Sequence, residues 1–314
     1  MPALPPDPTT SPRRDAPTPS PPQASQSSAQ LVADGLGAAA VATSEGRARG
    51  TLPADALTAA GNGEPSSQVV ALVALADTTC RAVAGLDPWP VQHTADLTLH
   101  LWRAASGPVH LDVRTVRRGR NVHVLEGSFV DRVASTASTE PFGWVSVTLV
   151  PSPERPPASS SAPPTGRGAA AAPQGAGSVV PGRWDDRVGL RRDGDGWYVD
   201  PEHGAGRGSG DVATACLVAL ATRALSTSAA AGDVEWPRVT ELHVSVVEHN
   251  AARTLRARTR HVAPDASRSA ASVEIAGPAP HFTVHALVLV AGPPGTATAT
   301  AVAGTPAPRP EDRR

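Results

Sequence analysis

Residues 68–84 read QVVALVALADTTCRAVA. As far as Ala76 the stretch is apolar on nearly every face, and a helix that is hydrophobic all round has to be buried on all sides. It is too short to cross a bilayer and it ends in polar residues. Asp77 then sets a carboxylate at the edge of the buried run. A carboxylate there needs a partner or a function. The flanks support a helix of this length. Residues 58–67, TAAGNGEPSS, carry Gly61, Gly63 and Pro65, which mark a loop. Ser66 or Ser67 can cap a helix that starts near Gln68, and Gly85 is a plausible stop.

Strand patterns surround this helix. Upstream, residues 36–52 suit a first strand with a polar turn at 44–46. Downstream, residues 95–102 (ADLTLHLW) and 109–116 (VHLDVRTV) alternate apolar and polar at period two. Residues 117–121 (RRGRN) form a hairpin turn, 122–126 (VHVLE) begin the return strand, and 142–150 (FGWVSVTLV) close the set. The same order then recurs. Residues 187–190 and 196–199 suit strands, 202–211 (EHGAGRGSGD) form a Gly-rich loop, and 212–225 read as a second buried helix. Four more strands follow at 240–246, 254–260, 267–275 and 282–290. LVALA at 72–76 recurs at 217–221, and ADLTL at 95–99 recurs as TELHV at 240–244. Arg114 and Thr115 recur as Arg258 and Thr259 after a slip of one residue. A repeat of this length is a duplicated domain rather than a solenoid.

Composition sets the boundaries. The chain has 314 residues with 33 Pro and 28 Gly. These concentrate in three segments, 1–30, 151–181 and 292–314, which read as a disordered tail, a disordered linker and a second disordered tail. The expected folded domains are therefore 31–150 and 182–291. A net charge of −1 gives no argument for nucleic acid. Cys80 and Cys216 both fall in helix-like apolar runs, which suits a reducing cytoplasm and makes no zinc pattern. The N-terminus lacks the apolar core of a signal peptide and no apolar run is long enough for a membrane span, so a cytoplasmic protein is expected. The histidines have no metal-ligand spacing. The loop at 204–210 lacks the third glycine and the ribose acid of a dinucleotide fingerprint.

A long helix after a loop, wrapped by antiparallel strands and present twice, resembles the hotdog fold. In detail the chain looks like the PaaI-type acyl-CoA thioesterases with two units fused. The resemblance implies an α+β tandem hotdog, two antiparallel sheets each around a long central helix, forming an intrachain pseudo-dimer. It covers residues 36–150 and, more weakly, 187–291. The family pattern has a loop Asn, His-Gly-Gly at the helix start, an acidic residue nine positions after that His, and a Ser or Thr in the next strand. Asn62 falls on the loop Asn, Asp77 on the carboxylate and Thr94 on the hydroxyl. Gln68, Val69 and Val70 stand where His-Gly-Gly is expected, and Thr222 stands at the carboxylate position of the second repeat.

What the resemblance implies for chemistry follows from the reaction. Thioester hydrolysis passes through a tetrahedral oxyanion, which backbone N–H groups and the dipole at a helix start can stabilise. Val69 on one side, and Gly208 and Gly210 on the other, are the candidate backbone donors. Asp77 would act as general base on water or as nucleophile, and Thr94 would position the water or the carboxylate. Asn62 would add a donor. In the family the site lies between two units, so Asp77 and Thr94 should face the loop at 204–210, while Asn62 faces Thr222. Arg118 and Arg120, at the hairpin turn, are candidates for the phosphates of coenzyme A; a solvated turn explains them as well. No metal or redox cofactor is called for. Acyl-CoA is the expected partner, with neither nucleic acid nor membrane, and association of tandem units into a homodimer is open. Three readings compete. The first is an acyl-CoA thioesterase. The second is a hotdog scaffold that binds acyl-CoA or a protein without turnover. A hydratase ranks last, since no Asp and His are spaced for it. Asp77 also has a plain structural explanation, because Arg81 four residues on is well placed for a helical ion pair.

Overall fold

In the computed structural model, helix α3 (Ser67–Ala84) starts within one residue of the expected cap. The reason for its all-round apolarity is visible in its neighbours. It lies against helices α1 (Ser28–Gly35) and α2 (Ala56–Ala59), against helix α5 (Thr214–Ala230), and against strands β1–β6. Every residue from Val69 to Cys80 is buried. The structure describes residues 28–59, 67–84, 92–131, 140–151, 184–194, 196–200, 212–230, 238–246, 254–264, 268–276 and 283–291.

The strands are β1 (Ala39–Ser44), β2 (Arg47–Leu52), β3 (Gln92–Leu101), β4 (Val109–Arg118), β5 (His123–Asp131) and β6 (Gly143–Pro151), then β7 (Leu190–Asp193), β8 (Gly196–Val199), β9 (Arg238–Val246), β10 (Leu255–Pro264), β11 (Arg268–Ala276) and β12 (Thr283–Ala291). Helix α4 (Trp184–Val188) precedes β7. The order across the sheet is β1-β2-β4-β5-β6-β3-β9-β12-β11-β10-β8-β7, and its described pairings are antiparallel. Read from its two ends, this order is the same: β1 matches β7, β2 matches β8, and so on to β3 and β9. The duplication seen in the sequence is therefore a duplication of topology.

Three expectations change. The two sheets expected from the repeat are joined into one twelve-stranded sheet, because β3 pairs with β9 from Asp96↔Ser245 to His100↔Glu241. An edge strand of each half thereby satisfies the other's backbone groups. Residues 36–52 form a hairpin of two strands rather than one, turning at Gly46 with φ +70°. Of residues 187–190, expected as a strand, Arg187 and Val188 end helix α4, Gly189 reverses the chain with φ +73°, and β7 begins at Leu190. Helix α1 gave no signal in the periodicity. It is short; its Val32 and Ala33, with Leu36 just beyond it, are buried in the core.

The two halves meet where β3 pairs with β9. Thr98 and His243, 145 positions apart, sit opposite one another in the β3–β9 pair, with Thr98 Oγ1 3.0 Å from His243 Nδ1. Helices α3 and α5 pack together. Strand β2 approaches α3 closely at Gly50, where an added Cβ would lie 2.8 Å from Leu75 Cδ1 and collide with Thr79 Oγ1.

Candidate functional site

Asp77 sits at the middle of α3, 1% exposed, facing β3. Two donors converge on one of its oxygens. Thr94 Oγ1 donates to Oδ1 at 2.8 Å, and Arg81 Nε donates to the same Oδ1 at 3.0 Å. The other oxygen, Oδ2, is buried and has no hydrogen-bond partner. A purely structural buried carboxylate would spend both oxygens, because leaving a charged acceptor unmade costs more than an ordinary hydrogen bond returns. One oxygen is fixed and the other is left able to accept a proton or a hydrogen bond.

A bulge makes this contact. From Leu97 onward, odd-numbered residues of β3 face the helix: Leu97, Leu99 and Leu101 are buried. Strict alternation would turn Thr94 to the opposite face with Asp96 and Thr98. The register with β6 instead runs Asp96↔Thr148 and then Thr94↔Leu149, so Ala95 is an extra residue. The bulge restores Thr94 to the helix side, where it is fully buried against Asp77. Thr94 and Asp77, matched by the resemblance to a strand hydroxyl and a helix carboxylate, are thus in contact, through a bulge that the alternation of residues 95–102 does not show.

The second half keeps the bulge and lacks the Asp, Arg and Thr side chains that meet in the first. The β9–β12 register passes from Glu241↔Leu289 to Val239↔Val290, making Thr240 the extra residue, 145 positions after Ala95. At the same offset Asp77, Arg81 and Thr94 become Thr222, Ser226 and Val239. Thr222 Oγ1 donates to its own helix at Ala219 O, 2.9 Å away, and Ser226 Oγ donates to Thr222 O at 3.0 Å. All three residues that converge in the first half are replaced together.

The other candidate residues are distributed as follows. Val69 is in the first turn of α3, where the first four N–H groups of a helix have no intrahelical acceptor; its side chain and that of Val70 are buried. Gln68 is engaged with the β3–β4 connection, its amide bracketing Ala105 through contacts of 3.4 and 3.3 Å. Val69 lies about 12 Å from Asp77 along the helix axis, so a donor at this helix start cannot serve this carboxylate within one half. Arg118 pairs across the sheet with His123, His123 with Leu149, and Leu149 with Thr94. Three strand spacings put it about 14 Å from Thr94. Its guanidinium lies 3.8 Å from Glu45, on the surface, and Arg120 is exposed at the same turn. Asn62, Gly208 and Gly210 lie outside the described residues.

Two neighbouring features are structural. Asp131, buried at the end of β5, receives Arg103 through both terminal guanidinium nitrogens, Nη1 at 2.7 Å, together with the backbone N–H and hydroxyl of Ser106, each at 2.9 Å. These donors hold its carboxyl well below the usual carboxylate range. The lock ties the β3–β4 connection to the sheet. Cys80, one turn beyond Asp77, has its thiol pushed far up by burial and by the nearby Asp77 charge, with Arg81 opposing, so it is an inert core residue. Among the described residues no group of three or more His, Cys, Asp or Glu could hold a metal ion, and no helix is long and apolar enough to cross a membrane.

Neither a family model nor a curated protein matches the sequence. Solved structures do. A candidate thioesterase from Novosphingobium aromaticivorans superposes with a TM-score of 0.52 at 11% identity, covering 81% of this chain and 98% of that one. The tesB protein of Mycobacterium avium subspecies paratuberculosis gives 0.48 at 15% identity over 85% of this chain and 100% of the other. A hot dog fold protein of unknown function from Alicyclobacillus acidocaldarius gives 0.46 at 12%, over 83% and 98%. At these identities the likeness is one of fold.

Proposed function

We propose that the two halves are fused hotdog units forming an intrachain pseudo-dimer, and that the chain is an acyl-CoA thioesterase with one working carboxylate, Asp77. The observation that carries the reading is the buried carboxylate whose Oδ1 is held by Thr94 and Arg81 while Oδ2 is left bare. The names of the thioesterases that share the fold support the same reaction class.

On this reading Asp77 Oδ2 takes a proton from water as the water oxygen attacks the thioester carbonyl. The tetrahedral oxyanion collapses with cleavage of the carbon–sulfur bond. Coenzyme A leaves as thiolate and collects the proton, and the acid is released. The nucleophilic alternative forms an anhydride between Asp77 and the acyl group, which water then opens. Both routes use the bare oxygen. As in the PaaI-type pattern, backbone donors for the oxyanion would come from the second half, at Gly208 and Gly210, and Asn62 would serve the opposite, carboxylate-free position at Thr222. Arg118 and Arg120 would meet phosphate groups, Arg118 at the end of a ligand extending about 14 Å from Thr94.

A second reading, a scaffold that binds acyl-CoA without turnover, is favoured by one observation. The helix start that carries His-Gly-Gly in PaaI-type enzymes is packed here by Val69 and Val70, and Gln68 is committed to Ala105. Thiol release from short, medium, long and aromatic acyl-CoAs by the purified chain separates the two. Release from at least one class supports the enzyme. Binding of acyl-CoA with no release from any class supports the scaffold.

A further inference from the structure

The Arg81–Asp77 contact has the spacing of an ordinary helical ion pair, but it is made to one oxygen of a buried carboxylate. Arg81 presents Nε to Oδ1, the oxygen already taken by Thr94. Arg103 with Asp131 and Arg256 with Asp193 use the two-pronged arrangement, one nitrogen to each oxygen; Arg49 with Asp112 and Arg191 with Asp186 meet one oxygen, on exposed carboxylates whose other oxygen water can reach. At Asp77 the second prong is withheld from Oδ2, which remains buried without a partner.

The surroundings give Arg81 a reason to be there. Its side chain is 20% exposed and that of Asp77 is 2% exposed, so the cation reaches inward from the edge of the helix. Thr94 approaches from the strand. Two donors on different elements fix the carboxylate plane in a way neither could alone, since a single hydrogen bond leaves the group free to swing about its Cβ–Cγ bond. The internal repeat supplies a comparison. Where position 77 is replaced by Thr222, position 81 is replaced by Ser226 and position 94 by Val239, although the bulge beneath position 94 persists at Thr240. The fold does not require Arg at this helical site. The carboxylate accompanies it.

We infer that Arg81 is a positioning residue for the reaction at Asp77, clamping Oδ1 together with Thr94 so that Oδ2 alone is presented to water or to the thioester carbonyl. The inference rests on the reading of Asp77 as the reacting carboxylate. It adds a residue that acts through Asp77 and touches no substrate.

The test is a kinetic cycle on the full-length chain with the best acyl-CoA of the panel: wild type, Arg81→Gln, Arg81→Lys, Asp77→Asn and the double variant Asp77→Asn with Arg81→Gln. Arg81→Gln should lower kcat by roughly 10- to 100-fold, the range expected when a catalytic group is misaligned by a fraction of its working distance, while KM stays within about twofold. Arg81→Lys keeps the charge and should recover part of kcat. In the Asp77→Asn background Arg81→Gln should have no further effect, because a residue acting only through Asp77 has nothing left to position. Loss of rate with Asp77→Asn, together with wild-type kcat in both Arg81 variants, overturns the inference and leaves the reading of Asp77 standing. Wild-type rates in Asp77→Asn, or no hydrolysis of any acyl-CoA by the wild type, overturn that reading and this inference with it. If Arg81→Gln does not fold, Arg81→Lys decides: a wild-type kcat in it, with its Nε-equivalent donor displaced, contradicts the clamp.

Discussion

Thr94→Val removes one hydroxyl and little else. The fold already carries valine at the equivalent place, Val239, 4% exposed beside the same kind of bulge. The substitution therefore brings little cavity or backbone effect, and it removes the hydrogen bond to Asp77 Oδ1, 2.8 Å long and wholly buried. A hydrogen bond to a charged group contributes about 1.5–3 kcal/mol. The added methyl returns at most about 0.8 kcal/mol of burial. The net loss is about 1–2 kcal/mol, which lowers Tm by about 2–8 °C for a folded region of this size. Thermal unfolding of wild type, Thr94→Val, Asp77→Asn and the double variant measures it. In the Asp77→Asn background the same change should cost less, since the acceptor is then neutral. A Thr94→Val protein as stable as wild type, or an equal cost in both backgrounds, would refute the contact as the site's structural anchor.

Other consequences follow from the same geometry. The Asp131 carboxyl is held low in the folded state by Arg103 and Ser106, so its contribution to stability is complete above the unfolded value of about 4 and fades as pH falls toward the depressed folded value. Asp131→Asn should therefore be destabilising by denaturant unfolding at neutral pH, by roughly 1–3 kcal/mol for weakened charge-assisted hydrogen bonds to a half-exposed arginine, and its difference from wild type should shrink below about pH 4. Gly50→Ala forces a Cβ to 2.8 Å from Leu75 Cδ1 and into Thr79 Oγ1, whose hydroxyl is held by Leu75 O at 2.6 Å. That β-branched neighbour cannot swing aside, and a loss of about 1–3 kcal/mol on unfolding is expected.

The order of elements was legible because it is written in periodicity. Alternating residues at 95–102 and 109–116, the all-apolar run ending at Ala76, and the recurrence of LVALA describe buried surfaces, and burial is what the structure conserves between its halves. What the sequence could not show arises where two elements meet. The bulge at Ala95 leaves no mark in composition, yet it decides which way Thr94 points. The joining of the halves through β3 and β9 depends on edge backbone groups, which every strand has. Arg81 was visible as the i+4 partner of Asp77, and its spacing could not say which oxygen it would take. Helix α1 is too short for its period to stand out from the Ser- and Pro-rich residues before it.

The most direct measurement is the turnover of the best acyl-CoA substrate by Asp77→Asn, with binding of the same acyl-CoA followed calorimetrically. The amide keeps the shape of the side chain and removes its basicity and nucleophilicity. The account predicts a fall in kcat of roughly a hundredfold or more, the scale of losing a positioned general base, with affinity within a few-fold of wild type. An Asp77→Asn protein that hydrolyses acyl-CoA at the wild-type rate would contradict it.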